Sequence, residues 1–335
     1  MTDQHFSRTA LSRGETASDR ESLASTATRR NGTPVSTFRE SVADSHPWPD
    51  SQDDRMICVC VNDFGSHADI NRAALRLAAM ERVHAIGCTV AGETWKAWSL
   101  LLRRLDSDGV DIGLTLNLTE SPLLIRSRRT LKTLVVASLT GRLDRRALRA
   151  EIRVQLDSFE QAIGHAPAFV DGHQHVHALP GVRRELLDEL ERRYGQFRPW
   201  VSSWRGLPGD RSMAYAGWFG STLQSLIEKL NSRGLATIAS ERGYPQNRQL
   251  LAMQQAQSDL PRYEDLWRAR LRCCASADLM TCKPMMGSGH GDALVAARDA
   301  EFQWLSGAAF GELLSFFGIS LWPMSQILAY HGTEP

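Results

Sequence analysis

The sequence predicts an α/β fold: an irregular, TIM-barrel-like (β/α) barrel, formed as a single domain behind a disordered N-terminal tail. Three observations carry this prediction. Apolar runs of strand length alternate with helical patterns from Met56 onward, which argues for a parallel sheet with helices outside it. Seven or eight such units in about 280 residues suit a barrel better than an open sheet. The first 55 residues differ in composition from everything that follows.

The expected strands, in order, are Met56–Val61, Ala85–Val90, Val110–Leu116, Ala168–Asp171, Trp200–Ser203, Leu235–Ile238, Leu279–Cys282 and Ile319–Trp322. Each is a short apolar run bounded by polar or turn-forming residues. Between them, Ile70–Val83 and Leu143–Ile163 place apolar residues at i, i+3, i+4 and i+7, the signature of a helix with one buried face. Val182–Tyr194, Trp218–Arg233, Tyr263–Cys274, Ala293–Leu305 and Ala308–Phe317 also read as helical. No internal repeat is visible. No G-x-G-x-x-G or Walker-type loop follows any strand, which sets nicotinamide and nucleotide chemistry aside.

Residues 1–55 hold nine Ser and seven Thr but only eight large apolar residues. Such a segment buries too little surface to offset its ordering entropy. It has no continuous apolar stretch of the kind a secretory signal needs, and its nine acidic residues do not suit a transit peptide. A disordered tail is expected, and a sharper expectation is that Met56 is the natural start. The barrel domain is expected over 56–328.

Lys and Arg total 39 against 38 Asp and Glu, a net charge of +1, so the chain has no field to attract nucleic acid or an anionic membrane. No apolar stretch is long enough to span a bilayer. Neither partner is expected. The six cysteines, Cys58, Cys60, Cys88, Cys273, Cys274 and Cys282, form no C-x-x-C pair and sit mostly in apolar runs. They read as buried reduced thiols of a cytoplasmic protein.

In a parallel barrel the chemistry lies where strands end and loops begin. Unusual polar residues fall at four such places: Asn62-Asp63-Phe64-Gly65, Gly113 to Thr119, Asp171 to His177, and Thr281-Cys282-Lys283-Pro284. The strongest signal is the third, where three of the ten histidines fall within five residues. On an extended backbone His173, His175 and His177 would point to one side, and imidazole is both the commonest metal ligand and the group that titrates near neutrality. Asp63 alone reads as readily as a turn residue, but beside the histidines it becomes a candidate carboxylate ligand. Asn117 and Thr119 read as capping or turn residues, and Thr115 as an ordinary strand residue. Most tryptophans belong to the core; Trp204 is a candidate for stacking on a sugar ring.

These elements resemble the YdjC-like carbohydrate deacetylases, the family of the chitooligosaccharide deacetylases. The family pattern has a first strand ending in Asn-Ala-Asp-Asp-Phe-Gly, then Gly-Leu-His-Leu-Asn-Leu-Thr, then Asp-Gly-His-Gln-His-Val-His with a following Pro, and Leu-Met-Cys-His-Pro-Gly with a downstream Arg and Glu. The chain has Asn62-Asp63-Phe64-Gly65, Gly113 to Thr119, Asp171 to His177 with Pro180, and Leu279 to Pro284 with Arg298 and Glu301, in the same order from Met56 to about Trp322. The resemblance implies a distorted barrel that removes acetyl groups from N-acetylated saccharides with one divalent metal, Mg²⁺ or Zn²⁺, and a homodimer. Carried over by position, the metal ligands are Asp63, Thr115 and His173, with Asn62 at the place of the general base.

Two of these four do not suit that chemistry. Thr115 offers a neutral hydroxyl where the family has imidazole, and Asn62 cannot accept a proton, an assistance typically worth about 10²–10⁴-fold. Lys283, where the family has His, puts an ammonium near the mouth that would repel a divalent metal yet could hold an oxyanion or a carboxylate. His175, His177 or His290 could supply the missing imidazole from a neighbouring loop. The leading expectation is a deacetylase acting on an N-acetylated saccharide, and the rival is a catalytically silent relative that binds a saccharide without cleaving it. An amidohydrolase-type metalloenzyme is the third reading, weaker because its H-x-H pair belongs at the end of the first strand.

Overall fold

The computed structural model describes residues 54–107, 109–124, 130–203, 234–252, 260–287 and 293–331. The elements are β1 (Arg55–Phe64), α1 (Ala68–Ala79), β2 (Ala85–Cys88), α2 (Trp95–Ser107), β3 (Asp111–Leu116), α3 (Leu131–Leu139), α4 (Arg145–Ile163) and β4 (Phe169–Gly172). A 3₁₀ segment (His173–Ala178), α5 (Val182–Tyr194), β5 (Trp200–Val201), β6 (Gln249–Ala252) and α6 (Leu260–Cys273) follow. The chain continues with β7 (Asp278–Cys282), α7 (Ala293–Ser306), α8 (Ala308–Phe316), β8 (Ile319–Leu321) and α9 (Met324–His331).

The sheet runs β5-β4-β3-β2-β1-β7-β6, with parallel pairing throughout. Strand β1 is its centre. Its first three residues pair with β8, Cys58–Val61 pair with β7, and its other edge pairs with β2. A strand enclosed on both edges and both faces needs apolar residues at every position, which is why Met56–Val61 shows no alternation. The far edges of the sheet approach one another: Val201 bridges Gln246 in parallel, and the Asn247 side chain accepts from Ser203 N at 2.7 Å and donates to Ser203 O at 3.0 Å. The sheet is therefore curled into the irregular α/β barrel that the sequence predicts.

Helix α4 shows how the surrounding layer is built. Asp144 caps it by accepting from the amides of Arg146 and Ala147, and Gly164 ends it in the left-handed conformation. Leu148, Ile152, Leu156, Phe159 and Ile163 are buried on one face. Across that face, buried Glu185 and Glu189 of α5 are each neutralised by arginines of α4, so the helix pair carries charge inward only where it is matched.

One expected strand is wrong. Leu235–Ile238 lies in a helical stretch over 234–241, and the sixth strand is Gln249–Ala252. An apolar run of four residues has no periodicity that separates helix from strand. Helices α2, α3 and α9 complete the set beyond those expected. Of the tail expected over 1–55, residues 1–53 lie outside the described residues and Arg55 already belongs to β1; the helix expected at Trp218–Arg233 also lies outside the described residues. Among the described residues, no helix is long and apolar enough to cross a membrane.

Candidate functional site

The ends of β1, β3, β4 and β7 converge on one mouth. At the end of β1 the pairing with β2 slips between Val61 and Phe64, and Asp63 takes a positive φ of 67°. A bulge of this kind re-aims a side chain, and here it places the Asp63 carboxylate among cations. Lys283 Nζ donates to Asp63 Oδ2 at 2.6 Å, His173 Nδ1 lies 3.4 Å from Oδ1, and an Arg298 guanidinium nitrogen lies 3.9 Å from Oδ2. Burial alone would raise the Asp63 pKa, but Lys283 and His173 outweigh it and hold the carboxyl well below the usual range.

His173 is held between two carboxylates. Its Nε2 lies 3.2 Å from Glu120 Oε2, as an ion pair rather than an aligned hydrogen bond. Burial lowers its pKa, yet Asp63 and Glu120 more than reverse this and bring it to about 9. Glu120 is presented by the loop after β3. Asn117 Oδ1 accepts from the amides of Thr119 and Glu120, and buried Glu151 accepts from the amides of Leu123 and Leu124 at 2.7 Å each. Asn117 is thus the turn residue its type suggested.

Below the mouth a polar row crosses the inner face of four strands. Asn62 and Thr115 flank Gly87, where a Cβ would lie 2.7 Å from Asn62 Oδ1 and 2.6 Å from Thr115 Oγ1. Only glycine leaves room for both side chains. Thr115 pairs in register with Asp171 on β4, and Thr115 Oγ1 and Asp171 Oδ1 are buried without a hydrogen-bond partner among the described residues. Burial raises the Asp171 pKa to about 6, with the neighbouring Thr115 hydroxyl opposing.

The histidine run departs from expectation. Its backbone does not stay extended: Gln174 and His175 adopt φ of 52° and 57° inside the 3₁₀ segment, so the three rings do not share a side by strand alternation. His177 folds back over Gly172, whose absent Cβ would lie 2.5 Å from Nδ1. It is buried, its Nε2 meets Ser202 O at 2.8 Å, and burial lowers its pKa to about 4. The pKa of His175 is also driven well down, by desolvation and by the nearby His177 and Lys283. His177 is therefore tied through Nε2 to the Ser202 carbonyl. His290 and Trp204 lie outside the described residues.

The structure brings Asn62, Asp63, Thr115, His173 and Lys283 into one neighbourhood, and adds Glu120, Asp171, Arg298 and Glu301. Glu301 accepts from the Lys283 amide at 2.8 Å and from the Tyr263 hydroxyl, which fixes the loop that carries Lys283. Glu120 has no signal in the sequence, because only the fold brings it to His173. Asp171 opens one of the four strand ends marked in the sequence, whereas Arg298 and Glu301 are reached only through the family pattern, with no role assigned.

A divalent metal does not fit this donor set. Asp63 is already neutralised by an ammonium, both His173 nitrogens face carboxylates, and Thr115 offers a hydroxyl in place of imidazole. Among the described residues, no three His, Cys, Asp or Glu side chains are arranged to hold a metal ion. The five cysteines Cys58, Cys60, Cys88, Cys274 and Cys282 are buried free thiols and Cys273 is exposed. Burial raises the pKa of Cys58, Cys60, Cys88 and Cys282, which leaves them poor nucleophiles.

Comparison with known proteins agrees with the motifs. The YdjC-like protein family matches residues 56–315. A human carbohydrate deacetylase is 28% identical over 148 residues, 40% of this chain and 45% of that protein. A chitooligosaccharide deacetylase from Enterobacter sp. (strain 638) is 28% identical over 133 residues, 38% of this chain and 53% of that protein. The chain thus spans about half the length of these relatives. A solved structure from Enterococcus faecalis, named as a candidate cellobiose-phosphate cleavage protein, shares the fold at a TM-score of 0.53 and 13% identity, over 82% of this chain and 99% of that one.

Proposed function

Because the chain belongs to the YdjC-like protein family, we propose that its barrel mouth takes an N-acetylated saccharide and hydrolyses the acetamide, as a carbohydrate deacetylase. What carries the reading is the convergence of four strand ends, at the motif positions of the family, on a single cluster around Asp63. The family resemblance supplies the substrate class, since its named relatives are deacetylases of carbohydrates.

The chemistry available belongs to the chain's own residues. Lys283 and Arg298 hold positive charge beside Asp63, where a carbonyl oxygen entering the mouth would find donors for the charge that develops on it. Asp171, with a pKa near 6, is ionised at neutral pH and is the carboxylate in the polar row able to accept a proton. Asn62 and Thr115 orient a water but take no proton from it.

A second reading is favoured by the Lys283–Asp63 ion pair at 2.6 Å. A carboxylate so neutralised leaves the acetamide held but uncleaved, which makes the protein a saccharide-binding relative. Incubation with N-acetylated chitooligosaccharides, with acetate release and binding measured together, separates the two. Acetate release above the rate of an unfolded control supports hydrolysis, binding without release supports the second reading, and the absence of both refutes the saccharide assignment.

A further inference from the structure

We infer that the ε-ammonium of Lys283 is the resident cation of this mouth, occupying the electrostatic role of a divalent metal, and that the chain handles its saccharide without a metal. The inference deepens the saccharide reading above and rests on it for the identity of the ligand alone.

Asp63 is buried and projects from a bulge at positive φ, and a carboxylate buried in its ionised form is stabilised by a cation or donor beside it. Lys283 answers that requirement at hydrogen-bond distance on Oδ2, and Arg298 stands behind it on the same oxygen. The lysine is itself fixed, because its amide donates to Glu301, which Tyr263 holds from the other side. A buried carboxylate of the following helix thus anchors the backbone that carries the ammonium.

The other candidate donors are spent in the same arrangement. With an Asp63 oxygen 3.4 Å from Nδ1 of His173 and a Glu120 oxygen 3.2 Å from Nε2, each ring nitrogen faces a carboxylate rather than an open metal position. Thr115 contributes a neutral oxygen, a weak ligand for Zn²⁺ beside imidazole or thiolate. A divalent ion at Asp63 would have to displace Lys283 and lie beside Arg298. The three departures from the family pattern put an amide at the place of the general base (Asn62), a hydroxyl in place of an imidazole (Thr115) and an ammonium in place of another imidazole (Lys283), and none of the three favours a divalent ion.

The test uses the full-length chain, dialysed against Zn²⁺ or Mg²⁺, desalted, and measured for bound metal by mass spectrometry. The wild-type chain is expected to retain no stoichiometric metal, and Thr115→His/Lys283→His is expected to gain one zinc with a zinc-dependent rise in melting temperature. Lys283→His alone is the companion variant should the double variant fold poorly. Stoichiometric metal in the wild type overturns the inference, as does the failure of every folded Lys283→His variant to take up zinc. Neither result depends on acetate release, so a saccharide reading that fails leaves this outcome readable, and the reverse holds too.

Discussion

Lys283→Gln removes the ammonium that lies 2.6 Å from Asp63 Oδ2 and leaves a buried carboxylate facing, among the described residues, the cations His173 and Arg298. At an effective dielectric of about 20, unit charges at 2.6 Å attract by about 6 kcal/mol. Taking one partner from a buried pair costs about 3–5 kcal/mol. The remaining cations, at 3.4 and 3.9 Å, offset part of this, and the expected loss is about 2–3 kcal/mol at neutral pH. The pH dependence identifies the cause. Because Asp63 is held well below its unfolded pKa, its contribution is present above about pH 4 and is lost as pH falls toward the folded value. The glutamine variant lacks most of that contribution, so the stability gap between the two chains narrows by about 1 kcal/mol between about pH 7 and about pH 3. Urea unfolding followed by tryptophan fluorescence reads both quantities. A gap under about 0.5 kcal/mol at neutral pH, typical of an exposed ion pair, refutes the reasoning. So does a gap that widens as pH falls.

Four further outcomes follow from the same geometry. Gly87→Ala drives a Cβ against Asn62 and Thr115; it is expected to cost about 1–3 kcal/mol of stability and to abolish saccharide binding by calorimetry, while binding kept at wild-type strength would place the ligand elsewhere. Asp171, whose pKa rises to about 6 on folding, makes the wild type lose stability as pH rises from about 4 to about 6, because the unfolded chain releases its proton first. Asp171→Asn removes that slope, and unfolding curves with the same slope in both chains would contradict the assignment. Glu151→Ala leaves the amides of Leu123 and Leu124 without their acceptor; it is expected to cost about 2–3 kcal/mol and to speed exchange at those two amides in hydrogen-exchange mass spectrometry, with unchanged exchange as the contrary result. His173, raised to about 9, contributes stability that is complete below about pH 6.5 and lost as pH rises through the folded value; an NMR titration of its ring carbons placing the midpoint near neutrality would contradict the carboxylate clamp.

Much of the fold was legible because β1 and α4 each obey one strong local rule: a strand enclosed on every side is apolar throughout, and a helix with one buried face repeats at 3.6 residues. Leu235–Ile238 was read as a strand and Gln249–Ala252 was missed because a four-residue run carries too little pattern to separate strand from helix. At the mouth, Asp63, His173 and Lys283 were legible as unusual polar residues at strand ends, and the structure brings them together. The direction of the histidine run was not legible, since two positive φ values at Gln174 and His175 turn a strand into a 3₁₀ segment without any glycine to announce it. Glu120 was also hidden, and Glu301 was legible only as part of the family pattern and without a role, because each acts through a partner distant in sequence, His173 for one and the Lys283 amide for the other.

The central claim is that the mouth recognises an N-acetylated saccharide with the chain's own cations. Titration calorimetry of the full-length protein with an N-acetylated chitooligosaccharide in excess EDTA tests it most directly. Binding of the same strength with and without the chelator is the predicted result. Binding that is absent in EDTA and appears only when zinc or magnesium is restored would contradict it.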